Sequence, residues 1–184
     1  MKLNPQITEE MLKSIRSLRA FAVSLCGRTD VADDLVQETI VKAWSNLDKF
    51  EEGTNLQAWL FTILRNHYYS EIRKRRREIE DVEGRYSATL ATHPAQYGHL
   101  DMADFKAAMQ KLPDDQREAL ILVGASGFSY EDAAKICGVA IGTIKSRVNR
   151  ARTRLAQLLG IESPEDIGAD RVVKATIFNE AYTR

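Results

Sequence analysis

Lys145, Arg147, Arg150, Arg152 and Arg154 fall within ten residues, and no acid lies between 139 and 156. Thr143, Ser146 and Asn149 are interleaved with them. Guanidinium forks fit phosphates and the acceptor edge of guanine, lysine adds a point charge, and short hydroxyls and amides reach other base edges. This mix suits binding a polyanion. Neither a nucleophile–base pair nor a glycine-rich phosphate loop accompanies it, so enzyme chemistry has no support. Ile144, Val148, Ala151, Leu155 and Leu158, spaced four, three, four and three, claim one face of a helix and leave the polar set on the others. Just upstream, Ala133, Ala134 and Ile136 fit a short helix, and Gly138 and Val139 fit a tight turn. Ser129 with Asp132 three residues on resembles a capping box. Gly138 suits a turn residue with positive φ. From Phe128 to Leu158 this is the helix-turn-helix pattern, whose second helix enters the DNA major groove. A plain antiparallel helix pair with a solvated face leaves the acid-free basic run unexplained.

A second basic cluster sits earlier. Arg65, Arg73, Lys74, Arg75, Arg76 and Arg77 face Glu71 alone, after Trp59, Phe61, Tyr68 and Tyr69. Rings that stack on bases, next to cations that follow phosphates, suit unpaired nucleic acid. Trp44 and Trp59 fall where core packing is expected. Phe61, Tyr68 and Tyr69 stay open between burial and function on spacing alone. Asp33, Asp34, Gln37 and Glu38 form an acidic, polar face that cannot favour DNA. By composition it is a solvated face, and a basic protein partner is the alternative.

Helices must hold these groups. Strand-like alternation and hairpin dipeptides are absent. Ile7, Met11, Ile15, Leu18, Ala22 and Leu25 predict a helix over about 7–26, stopped by Gly27. Asp30 is the expected cap of a second, about 31–47, buried through Ala32, Leu35, Val36, Ile40, Ala43, Trp44 and Leu47. A loop from Phe50 to Asn55 precedes a third helix that starts near Leu56 and carries the basic run. Pro113 and Asp114 open a helix expected to reach Val123, and Gly124 to Gly127 break it. Residues 79–104 turn acidic, with Gly84, Pro94 and Gly98, and read as a flexible linker. The expected fold is all-α: two small helical domains, 1–78 and 105–160, with the tail 161–184 suited to a last short helix. The pattern leaves the packing of the two domains open.

The 184 residues have zero formal net charge and 28% charged side chains, so the basic patches are local concentrations on a neutral chain. No apolar run approaches a membrane span, and Met1 to Glu10 lacks a secretory core. The expected location is the cytoplasm. Cys26 and Cys137 stand far apart, and His67, His93 and His99 are scattered. Neither a disulfide framework, a metal site nor a cofactor is expected.

Taken together, these segments resemble the sigma-70 family of promoter-recognition factors. Asp34-Leu35-Val36-Gln37-Glu38-Thr39 with Ala43-Trp44 resembles its core-binding helix. Phe50 to Asn66 resembles the promoter-melting part of region 2, and Leu112 to Arg154 resembles region 4. Only regions 2 and 4 are covered, as in the extracytoplasmic-function group. The resemblance implies that Asp33, Asp34, Gln37 and Glu38 meet the β′ clamp helices of RNA polymerase core, with the β flap a further core contact. It implies that Gly53, Thr54 and Asn55 hold an unstacked −10 base, and that Asn66, Tyr69, Arg73 and Arg76 handle −10 DNA. Thr143, Lys145, Ser146, Arg147 and Arg150 would meet the −35 element. The linker would run near the RNA path of the core.

Val123-Gly124-Ala125-Ser126-Gly127-Phe128-Ser129-Tyr130 is similar to the alphaproteobacterial general-stress-response subgroup, which implies control by a small anti-sigma protein. Two other readings remain. A sigma-like mimic that sequesters an anti-sigma protein would not need Lys145, Arg147 and Arg150. A conventional helix-turn-helix regulator would leave the Asp34–Glu38 face without a purpose.

Overall fold

A computed structural model describes residues 5–82 and 102–160. The expected linker, for residues 83–101, and the tail 161–184 lie outside the described residues. Those described form α1 (Pro5–Cys26), α2 (Thr29–Ser45), a 3-10 turn (Leu47–Lys49), α3 (Leu56–Val82), α4 (Met102–Gln110), α5 (Asp114–Leu120), a π turn (Ile121–Ala125), α6 (Tyr130–Cys137) and α7 (Ile141–Leu159). No strand occurs among them.

The first three helices pack because each carries an apolar stripe. Leu18, Phe21, Ala22 and Leu25 of α1 meet Ala32, Leu35, Val36 and Ala43 of α2 and Leu56, Leu60, Phe61 and Leu64 of α3. Thr39 is fully buried, and its hydroxyl is satisfied by donating to Leu35 O at 2.7 Å. Gly27 ends α1 with φ +72° as expected. Asp30 is not the cap of α2. The helix opens at Thr29, the N-cap is Arg28, and Arg28 instead pairs with the Asp30 carboxylate. Trp44 is also not core. The buried line on α2 runs through Ala32, Leu35, Val36, Thr39 and Ala43, so Trp44, one residue (about 100°) beyond, is left 44% exposed.

The second group packs α4, α5, α6 and α7 around Phe105, Leu112, Leu120, Ile136, Ile144 and Leu155. Helix α5 stops at Leu120, short of the expected Val123, and the chain continues as the π turn, closed by Ser126 N–H donating to Ile121 O at 2.8 Å. The helix-turn-helix stands as read from the sequence. The Ser129 hydroxyl accepts from Asp132 N–H at 3.0 Å, and Gly138 takes φ +66° between α6 and α7. A Cβ at Gly138 would meet nothing within 4 Å. Gly138→Ala should therefore cost only the left-handed backbone term, about 1–2 kcal/mol, in urea unfolding of the full chain. A neutral result would mean that the turn relaxes to another conformation.

The two groups share one core. Phe21 stacks on Phe61 at 4.9 Å between centroids, and Phe61 meets Phe128 edge-on at 4.8 Å. Helix α6 lies against α3, and α5 touches α1. The question left open by the sequence has a definite answer here: the two domains are packed together.

Candidate nucleic-acid interface

Helix α7 sorts its polar residues by what its apolar stripe buries. Ile144, Val148, Ala151 and Leu155 face inward, which leaves Lys145, Asn149 and Arg150 exposed. Thr143 and Ser146 are half-buried, and the Ser146 hydroxyl donates to Thr143 O at 2.9 Å. Arg147 turns toward α5, its Nε 3.0 Å from Asp115 Oδ2. Lys145 Nζ lies 5.9 Å from the Tyr130 ring centroid. The side chains of Lys145, Ser146 and Arg147, three of the five −35 residues read from the sequence, thus already have contacts within the chain. Asn149, which that set left out, stands beside Arg150 on the open face.

On α3, Asn66, Tyr69, Arg73 and Arg76 recur at spacings of three, four and three, which makes one stripe. Asn66, Arg73 and Arg76 are exposed. Tyr69, in the middle, is not. Tyr68 departs from the stripe and donates to Leu25 O at 2.9 Å, so it braces the end of α1. Phe61 is fully buried. Ahead of α3, the loop is held by its own bonds. The Thr54 hydroxyl donates to Glu51 O at 2.7 Å, and Asn55 Oδ1 accepts from Ala58 N–H at 3.0 Å, capping α3. Gly53 takes φ +88°. Thr54 and Asn55 border an open hollow of about 340 Å³ that also includes Glu10, Lys13 and Gln57.

The α2 face is separate from both. Asp34, Gln37 and Glu38 are exposed, and Val41 and Trp44 extend the same face with exposed apolar surface. Asp33 sits apart, its carboxylate paired with Arg19 at 2.5 and 3.2 Å. Behind this helix Lys42 Nζ lies 2.6 Å from His67 Nδ1, and burial followed by the lysine charge lowers the histidine pKa.

The sequence reading missed one cluster. Glu118 is fully buried where the two groups meet, and Arg65 Nε donates to its Oε1 at 2.7 Å. The Tyr69 hydroxyl points at Oε2 from 3.5 Å, a long contact, and Arg65 covers the Tyr69 ring at 4.8 Å. Burial raises the Glu118 pKa, and the Arg65 charge opposes the rise. Burial pushes the neighbouring Cys137 thiol up to about 12, with Glu118 adding to it. That thiol is therefore a poor nucleophile. Arg117, also buried, donates to Leu112 O and to Leu25 O at 3.3 Å each and pairs with Asp114 at 2.6 Å. The available signal was an acid directly ahead of the apolar run Ala119 to Val123, with an arginine before it.

Comparison with known proteins adds to this geometry. Residues 12–78 match the family described as Sigma-70 region 2, and residues 102–155 match Sigma-70, region 4. The ECF RNA polymerase sigma factor EcfG of Rhodopseudomonas palustris is 59% identical over 177 residues, covering 96% of this chain and 98% of that one. The ECF RNA polymerase sigma factor SigC of Mycobacterium tuberculosis is 36% identical over 137 residues, 74% of this chain and 72% of that one. The sigma factor RpoE of Bartonella quintana, solved in complex with the anti-sigma factor NepR, superposes with a TM-score of 0.75 at 59% identity. That match covers 87% of this chain and all of the other.

Proposed function

The chain belongs to the extracytoplasmic-function sigma factors of the sigma-70 family, and from that premise we propose how its surfaces divide the work of promoter recognition. The carrying observation is the separation of faces: an acidic and apolar face on α2, a basic stripe on α3 and a basic face on α7. As a sigma factor it directs polymerase core to promoters. Asp34, Gln37 and Glu38 take basic groups on the β′ clamp helices, with Trp44 and Val41 adding apolar contact. Asp33 serves this face through Arg19. The second domain adds the β flap contact.

The loop Gly53 to Asn55 and its hollow receive an unstacked −10 base, while Asn66, Tyr69, Arg73 and Arg76 follow the strand. Unstacking costs a few kcal/mol, and ring stacking returns about 1–3 kcal/mol per base. Phosphate contacts supply the rest. On α7, Lys145 and Arg150 reach the −35 element, with Ser146 and Thr143 at its N-terminal end. Arg147, held by Asp115, orients the recognition helix or exchanges that partner for DNA. The domains proposed are 1–82 and 102–160, because α3 runs to Val82 and α4 opens at Met102, so the connection is residues 83–101 and shorter than the 79–104 read from the sequence. The protein acts by binding, without catalysis, in the cytoplasm where its template is.

Control by a small anti-sigma protein in a general stress response is part of the same reading. The support is the 59% identity to a sigma factor solved with NepR.

The −35 assignment is tested with labelled duplex carrying a promoter that the holoenzyme selects from a random pool. Arg150→Ala and Lys145→Ala should each weaken binding by about 1–3 kcal/mol if they read bases. If they meet phosphates, each should reduce the slope of log K against log salt by about 0.9. Unchanged affinity and slope for both would remove α7 as the reader.

A further inference from the structure

We infer that Arg65 and Glu118 form a latch that holds the two domains closed and, by closing, masks the centre of the α3 nucleic-acid stripe. The inference rests on the reading of that stripe as the −10 surface. Asn66, Arg73 and Arg76 face solvent, but Tyr69 between them is half-buried where α3 meets Glu118 of the second domain. Its ring is covered by Arg65, and its hydroxyl points at Glu118. A strand that follows the whole stripe needs this ring uncovered, so the closed protein offers the two ends without the middle.

The latch is two-state by its chemistry. Glu118 is fully buried, and its cationic partner comes from the other domain. Take Arg65 away and the carboxylate is left buried without its ion-pair partner, an arrangement proteins avoid. Opening relieves it at once, because Glu118 returns to water. The other ties across the boundary include the Phe61–Phe128 contact, the bond from Arg117 to Leu25 O, and the packing of α6 on α3 and of α5 on α1. Among these ties only the ion pair strands a buried charge in the closed form when it is broken, so it biases the balance between closed and open. A nucleic-acid strand or polymerase core that binds only the open form bears the cost of opening as reduced apparent affinity.

The test uses the full chain with Arg65→Gln and, separately, Glu118→Gln. Small-angle scattering without nucleic acid reads closure. Anisotropy with a labelled single strand of the selected −10 element, at fixed salt, reads masking. Circular dichroism reads the fold. Arg65 keeps 20% of its side chain exposed at the rim, so its replacement should leave both helical groups intact. The expected result is a larger radius of gyration in both variants, unchanged helicity, and strand binding tighter by about tenfold. Two variants as compact as the parent chain would overturn the latch, as would expansion that comes only with lost helicity. Expansion without tighter strand binding would leave closure in place and overturn the masking, together with Tyr69's place in the −10 stripe.

Discussion

Phe61→Ala is expected to remove about 3–5 kcal/mol of stability, a large part of the roughly 5–15 kcal/mol available to a domain of this kind. Phe61 is fully buried, stacked on Phe21 in the first domain and edge-on to Phe128 in the second. Its removal deletes apolar surface from water-free packing and opens a cavity bounded by α1, α3 and the segment before α6. Those elements cannot collapse together, because each is fixed by its own helix packing. Because the ring serves both domains, urea unfolding should remain one transition that shifts as a whole. Leu12→Ala, at a position 63% exposed, should stay within about 0.5 kcal/mol. A loss below about 1.5 kcal/mol for Phe61→Ala would mean that the shared core is not how the chain spends its time in solution.

Gln37→Ala combined with Glu38→Lys should weaken binding to polymerase core by at least about 2 kcal/mol, or roughly thirtyfold. Both side chains are exposed on α2, one turn from Asp34, and the same face continues into Val41 and Trp44. An acidic patch with an aromatic beside it has the make-up of a binding centre, and reversing a charge there adds repulsion to the lost contact. Trp44→Ala should cost a comparable amount, since it removes the large apolar anchor. Asp33→Ala is the useful contrast. Its carboxylate is already taken by Arg19, so its effect should be smaller and should act through the position of α2. Equal core affinity for the parent and the charge-reversed variant, measured by competition with a labelled sigma factor, would move the core contact elsewhere.

Much of this was legible because helices repeat. The stripe Ile144, Val148, Ala151 and Leu155 turns Lys145, Arg150 and Arg154 of α7 outward, and Ser129 and Gly138 mark its neighbour's two ends. Periodicity is blind to finer rotation. It put Trp44 in the core, whereas Ala43 takes that place and the ring lies exposed on the side that carries Val41. Capping rules chose Asp30, but a nearby arginine competed for the carboxylate. The −35 residues were read as one set, yet Arg147 points to Asp115 because its position on α7 borders the buried stripe. Glu118 was invisible for a different reason. A buried acid is allowed only by a partner, and Arg65 is distant in sequence and belongs to the other domain.

Transcription from purified parts tests the central claim most directly. Core polymerase freed of other sigma factors is mixed with this protein on a linear template carrying the pool-selected promoter, and run-off RNA is mapped at its 5′ end. Discrete initiation at one site, lost with the Gln37→Ala/Glu38→Lys variant and weakened by raised salt, is the result expected. Core that elongates normally from a primed scaffold but starts no specific transcript with this protein would contradict the account.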